Sequence, residues 1–470
     1  MPDYGLGSWP ARRARINPTG VALRQADRVV TYTELAATVG QLAAGLAARG
    51  VGRGDRVAYL GPNDIDMFVV FFATTRLGAI FAPFNTRLAA PEIAYLVADA
   101  APTVFFDRTA DTDEYAAVLA SGDGLPAPDA DVALADDAVI LYTSGTTGRP
   151  KGAVLTHANM TFNTMNQLAH ADVLSSDTAL CMCPLFHATG LGQVSLPTLF
   201  KGGTVVVVPR FDAGQVLELT GRLRIASFAA VPTMLQMLCD HPDFAATDLS
   251  SLRYAIYGGS MVAERVAVAW QRRGVDILQG YGMTEAGPGV YLAPADGAGE
   301  RPVSVGVPHF FTDVMLEPGG ELLVRGLNVF RGYWRRPADT DAAFTDGWYR
   351  SGDVLRVDDD GWAYVVDRVT DLIISGGENI YPSEVEAAIG ALPGIVDCAL
   401  IGVPDERWGE VGAAFVIASD AGWTAESLRE ALSGTIAEFK IPKYVRFVDD
   451  LPRTATGKVR KQELRGLNPG

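Results

Sequence analysis

Tyr142-Thr-Ser-Gly-Thr-Thr-Gly-Arg-Pro-Lys-Gly152 is the stretch on which the reading of this chain turns. Gly145 and Gly148 let the backbone come close to an anion, and Thr143, Ser144, Thr146 and Thr147 add four hydroxyls. Lys151 puts a positive charge at the far end. The apolar run 138–141 just before it predicts a strand, so the loop sits at a strand end, where open α/β sheets take their ligands. A Walker loop would need Gly-Lys-[Ser/Thr]; here Pro150 precedes the lysine and Gly152 follows it. Gly, Ser and Thr also make ordinary surface turns, but such turns have no use for this many hydroxyls beside a lysine. The stretch reads as a phosphate cradle of another kind.

Bulk properties narrow the classes around that cradle. A chain of 470 residues, 48% hydrophobic, can bury a large core and accommodates about three domains, or one large domain and a small one. Its net charge, 39 − 55 = −16, argues against nucleic acid as a general partner. The segment 440–465 runs the other way, with eight basic residues against three acidic ones. That patch suits either a solvated tail or a polyanionic small molecule. Residues 1–15 contain no apolar h-region, which argues against secretion. The apolar stretch 67–84 is broken by Arg76, Gly78 and Pro83, so it reads as a buried helix and strand, not a membrane span. A soluble, cytoplasmic protein is expected. The four cysteines form no Cys-x-x-Cys pair and the five histidines are scattered, so small buried thiols are expected and a zinc site is not.

Along the first part of the chain, helical and strand patterns alternate. Thr33 is a candidate N-cap for a helix carrying Leu35, Val39, Leu42 and Leu46 and stopped by Gly50. Further elements are expected at 56–60, 68–73, 80–83, 103–106 and 204–208, an alternation that favours parallel sheets covered by helices. From Glu321 the texture changes to short strands and Asp/Gly turns. Beyond Arg368 a compact α+β segment is expected, with helices near 383–389 and 425–432. The expected fold is therefore α/β: a large N-terminal domain, 1–369, of parallel-rich sheets plus a β-subdomain, then a small α+β domain, 370–470.

Three more segments carry chemistry. Gln279-Gly-Tyr-Gly-Met-Thr-Glu285 offers a ring that can stack on a base, a hydroxyl, and a carboxylate able to hold Mg2+ on phosphates; a Gly-bounded turn with a packed Tyr is the plainer alternative. Tyr349-Arg-Ser-Gly-Asp353 places an acceptor for ribose hydroxyls on a tight turn, although Gly-Asp is common turn chemistry. Pro452-Arg-Thr-Ala-Thr-Gly-Lys458 presents a lysine on a glycine loop, where a solvated lysine is the default.

Together and in this order, these segments resemble the adenylate-forming superfamily, which includes acyl- and aryl-CoA synthetases, adenylation domains and beetle luciferases. The likeness runs from Thr31 to Leu464, and 367–386 is most similar to CoA ligases for fatty and aromatic acids. The resemblance implies ATP, Mg2+ and coenzyme A, and a small-molecule carboxylic acid as substrate. It implies that Thr143, Ser144, Gly145, Thr146, Thr147, Gly148 and Lys151 hold the β- and γ-phosphates. Gly258, Gly259 and Ser260 would border the adenine, with Tyr281 of Gly280-Tyr281-Gly282-Met283 stacked on it. Thr284 would touch the α-phosphate and Glu285 would bind Mg2+. Asp353 would grip the ribose, assisted by Arg368, and Lys458 would reach in from the small domain. That domain would be mobile, turning about a hinge at Thr370, where many members carry Asp or Lys. Gly376 and Gly377 would then line the pantetheine channel, and His187, in Pro184-Leu-Phe-His-Ala-Thr-Gly190, would gate the acyl pocket.

The physics of the reaction agrees with those roles: a carboxylate attacking an α-phosphate brings two anions together, which lysine, Mg2+ and backbone amides must offset. Phe186-His187 stands where amino-acid-selecting domains usually place an Asp, which favours a plain carboxylic acid. Val231, Met283 and Val290 suggest an apolar acyl or aryl group, and would equally serve as core. Three other readings are open: delivery of the adenylate to a separate carrier protein or another nucleophile, a luciferase-type oxygenase, and a nucleotide-binding scaffold without catalysis.

Overall fold

The computed structural model describes residues 4–467 except 111–112, 129, 144–149, 260–261, 302, 369–370, 376–377, 406, 420–421 and 455–458. Two compact units emerge, Met1–Val314 with Val324–Tyr349, and Met315–Leu323 with Arg350–Gly470.

The large unit is built on two sheets. In the nine-stranded one, Val21–Gln25, Thr204–Val207, Thr178–Cys181, Ser227–Ala230, Tyr254–Tyr257 and Asp276–Tyr281 lie side by side in parallel, with antiparallel strands at both edges. Strands buried on both faces read as continuous apolar runs, as Thr204–Val207 and Tyr254–Tyr257 do. Helices such as Glu264–Arg272 cover one face, and Trp270 is fully buried against Phe228 and Phe244. In the six-stranded sheet, Val104–Asp107, Arg56–Leu60, Ile80–Phe84 and Asp137–Thr143 are parallel, and Lys151–Thr156 and Gly332–Tyr333 extend it antiparallel. The helix Ile65–Arg76 touches strands of both sheets and is buried along almost its whole length. An all-round apolar helix belongs in such a place. The apolar stretch that opens here is thus a buried helix and a strand, and no helix among the described residues is long and apolar enough to cross a membrane.

The expected N-cap is corrected by two residues. Thr31, not Thr33, caps the helix Tyr32–Ala48: its Oγ1 accepts from the Glu34 N–H at 3.2 Å, and the Glu34 carboxylate accepts from the Thr31 N–H at 2.8 Å. Glu34 lies at the third helical position only if Thr31 is the cap, so the reciprocal pair decides the start. The Thr33 hydroxyl instead donates to the Pro18 carbonyl.

The short strands expected from Glu321 onward are present. Phe344–Thr345 pairs with the start of Trp348–Val357 across Asp346-Gly347, both with positive φ (48° and 80°), as a two-residue hairpin turn requires. In the small unit the rest of that strand pairs with Ala363–Arg368. There a long hairpin, Ile395–Asp405 with Gly409–Ala418, is flanked by Ile373–Ser375 and Tyr444–Phe447. The helices Pro382–Gly390 and Ala425–Leu432 bury Val385, Ile389, Leu428 and Leu432 with Leu400 and Val416, an α+β arrangement. The overall class is the α/β one read from the sequence. Cys181 and Cys183 are buried thiols, their pKa values pushed up to about 12 by burial.

Candidate active site

Parallel register gathers the first group of residues. Because the strands Thr178–Cys181, Ser227–Ala230, Tyr254–Tyr257 and Asp276–Tyr281 run the same way, the segments that follow them leave from one edge of the sheet. Those segments carry His187, Val231, Gly258 with Gly259, and Thr284 with Glu285; Gly280 and Tyr281 end the last strand. The carboxyl edge of a parallel sheet is where such folds bind ligands. Two glycines are dictated by geometry. Gly259 has φ +93°, and a Cβ on Gly282 would stand 2.1 Å from the Pro288 carbonyl oxygen. Tyr281 is buried, its ring edge-on to Tyr291 at 6.1 Å between centroids. Val290 is wholly buried core, whereas Val231 and Met283 are half-buried.

The second sheet carries the strands on either side of the expected phosphate loop. Thr143 and Lys151 face each other across the hairpin formed by Asp137–Thr143 and Lys151–Thr156. The loop therefore joins two antiparallel strands, and no helix N-terminus follows it to help hold an anion, in contrast to a Walker loop. Of the loop's ends, Lys151 is the one that carries a positive charge.

Residues that the sequence did not single out tie these groups together. Gly332–Tyr333 pairs with the strand Lys151–Thr156, and the Tyr333 hydroxyl donates to Glu285 Oε1 at 3.0 Å. Lys151 Nζ lies 5.3 Å from the centre of the Tyr333 ring and is ion-paired with Asp339. Burial, with the Glu285 charge second, pushes the Tyr333 pKa well up, which keeps it a donor. Asn328, itself fully buried, donates to the Ala286 and Gly289 carbonyls and so fixes the turn after Glu285. The signal for Tyr333 and Asp339 lies in tertiary register, 48 and 188 residues from their partners in the chain.

Glu285 fits a magnesium ion. Its carboxylate is a hard oxygen donor, held by the Tyr333 hydroxyl, and among the described residues there is no His/Cys/Asp/Glu cluster of the kind that would cage a softer metal. Mg2+ normally takes few protein ligands and keeps phosphate oxygens and water.

His187 precedes a π-helical turn, Thr189–Ser195, a kind of irregularity common at functional sites. Its ring packs 4.7 Å from Phe186, and its Nε2 is buried without a hydrogen-bond partner. Burial, with the charge of Arg87 second, pushes its pKa down to about 4, so the ring is neutral at pH 7.

In the small unit, Asp353 is buried and lies directly opposite Arg368 in the antiparallel ladder. Ser144, Gly145, Thr146, Thr147, Gly148, Ser260, Thr370, Gly376, Gly377 and Lys458 lie outside the described residues.

Comparison with known proteins completes this picture. Residues 10–334 match the model of the AMP-binding enzyme family, and 384–458 that of the AMP-binding enzyme C-terminal domain. The chain is 47% identical over 488 residues to a feruloyl-CoA synthase of Amycolatopsis sp, covering 99% of each chain. It is 40% identical over 501 residues to an indoleacetate–CoA ligase of Aromatoleum aromaticum, covering 98% of each. Among solved structures, it is similar to the o-succinylbenzoate CoA synthetase of Bacillus subtilis in complex with its acyl-adenylate intermediate. That match has TM-score 0.88 and 30% identity over 98% of this chain and 99% of the other.

Proposed function

The chain belongs to the AMP-binding enzyme family and is an ATP-dependent, AMP-forming acyl-CoA synthetase; from that premise we propose that its acid is aromatic. In the reaction the acid's carboxylate oxygen bonds to the α-phosphorus of ATP and pyrophosphate leaves. The coenzyme A thiol then attacks the acyl carbonyl of the mixed anhydride, loses its proton, and expels AMP. Mg2+, when bound, neutralises phosphate charge.

What carries the aromatic assignment is the identity, 47% and 40% along nearly the whole chain, to two ligases named for ring-bearing acids. The half-buried Val231 and Met283 beside the strand ends provide an apolar lining consistent with a ring. The remaining roles follow the family pattern. Lys151 and the loop from Thr143 hold the β- and γ-phosphates. Gly258, Gly259, Ser260 and Tyr281 border the base, Thr284 meets the α-phosphate, and Glu285, oriented by Tyr333, holds Mg2+. Asp353 and Arg368 take the ribose. Lys458 offsets charge as the carboxylate approaches phosphorus. Neutral His187 gates the carboxyl end of the acid pocket and cannot provide a fixed positive charge. A boundary at 369/370 with its hinge at Thr370 lets the small domain serve both half-reactions, with Gly376 and Gly377 lining the thiol's path. The cytoplasm, where ATP and coenzyme A are available, is the proposed location.

The test is thioester formation with coenzyme A across hydroxycinnamic, arylacetic, and short and long aliphatic acids. The expected result is a kcat/KM at least tenfold higher for one aromatic class, on the order of the discrimination an apolar pocket can supply. A preference for aliphatic acids would overturn the assignment. Acyl-AMP formation with no thioester product would instead point to a carrier-protein thiol.

A further inference from the structure

Lys151 is not waiting in solvent. Its side chain is only 13% exposed, lies over the Tyr333 ring, and is ion-paired with Asp339, whose side chain is 32% exposed. Asp339 is fixed from two directions. Its other carboxylate oxygen stands 3.7 Å from Arg336 Nη1, and Arg336 in turn donates to the Tyr95 hydroxyl at 2.7 Å. The helix Pro337–Ala343 that carries Asp339 is pinned to Tyr333 itself, whose N–H donates to Thr340 Oγ1 at 2.8 Å. One short helix therefore positions both the ring under the ammonium and the carboxylate that holds it.

We propose that Asp339 is a holding counter-ion for Lys151, docking the ammonium over Tyr333 until the triphosphate of incoming ATP displaces it. This rests on reading Lys151 as a phosphate-binding group. The exchange is favourable in one direction only. A partly exposed ion pair is a weak hold, whereas a magnesium-bound triphosphate offers several anionic oxygens to the same ammonium. Asp339 also places a fixed negative charge close to where those oxygens must come, and like charges repel. Both effects raise the ATP concentration the enzyme needs. What the aspartate provides in return is a lysine kept in one place, above the tyrosine that orients Glu285, before nucleotide arrives.

The experiment is steady-state kinetics of the full-length enzyme carrying Asp339→Asn, Lys151→Ala, or both. Asparagine keeps the shape and the acceptor while removing the charge. For D339N the KM for ATP, and for pyrophosphate in the exchange assay, should fall roughly three- to fivefold, as loss of one weak ion pair allows. The kcat should move less, and the KM for the acid and for coenzyme A should not follow. K151A should raise the KM for ATP, and D339N added to K151A should lower it by less than D339N does alone, because only the like-charge repulsion is then relieved. If K151A leaves the KM for ATP unaltered, the phosphate role of Lys151 falls. If K151A weakens ATP while D339N leaves the KM unchanged or raises it, the holding role of Asp339 falls alone.

Discussion

The residues expected at the nucleotide are held in different ways in the two units. In the large unit they follow the ends of buried parallel strands, and the turn after Glu285 is fixed by Asn328 and by a glycine with no room for a side chain. In the small unit Asp353 and Arg368 share one antiparallel ladder, and ion pairs such as Lys440 with Glu384 lie at the surface. Surface pairs of this kind contribute about 0–1 kcal/mol each. Binding geometry and folding are therefore one problem in the large unit. The contrast predicts that, in the small unit, a side chain proposed for the chemistry can be changed at little cost to the fold.

Lys458→Ala presses hardest on that contrast. It should cut acyl-AMP formation by a factor on the order of a hundred or more while the thermal midpoint barely moves, measured by pyrophosphate exchange and calorimetry on one preparation. A large loss of stability would erase the distinction between the units. Gly282→Ala tests the opposite side. The added methyl meets the Pro288 carbonyl, and overpacking of this kind costs about 1–3 kcal/mol, so denaturant titration should show lost stability together with lost activity.

Acid should separate the units as well, because all five histidines precede residue 310 and so lie in the large one. His157 is fully buried, accepts the Leu6 N–H at Nδ1, and has its pKa pushed down to about 4 chiefly by burial. The unfolded chain takes up that proton near 6.5, so between about 6.5 and 4 the unfolded state binds more protons. Stability is thus complete above about pH 6.5 and falls with acid, His157 alone removing about 2 kcal/mol by pH 5. His157→Gln should flatten that slope, as read from denaturant midpoints between pH 5 and 7; an unchanged slope would count against this account. The mildest change is Tyr333→Phe. It loses one hydrogen bond to a carboxylate, about 1–2 kcal/mol, and should raise the Mg2+ concentration needed for half-maximal rate by up to roughly tenfold while lowering the thermal midpoint by no more than a few degrees.

What could be read from the chain alone follows the same divide. Strand and helix placement came through because buried parallel strands are continuous apolar runs, and the Gly-Tyr-Gly-Met-Thr-Glu segment stands at the end of one of them. The N-cap was displaced by two residues because either threonine can cap, and only the reach of Glu34 decides between them. Tyr333 and Asp339 were invisible: each acts through a partner on another strand or helix, and no local spacing encodes that pairing. The neutrality of His187 likewise depends on burial and on Arg87, which approaches from a distant segment.

A crystal structure of the enzyme with ATP and Mg2+ tests the central claim most directly. The account requires the base against Gly258, Gly259 and Tyr281, the metal on Glu285, and the Lys151 ammonium moved from Asp339 onto phosphate oxygens. A triphosphate bound away from the carboxyl edge of the parallel strands, with Lys151 still paired to Asp339, would contradict it.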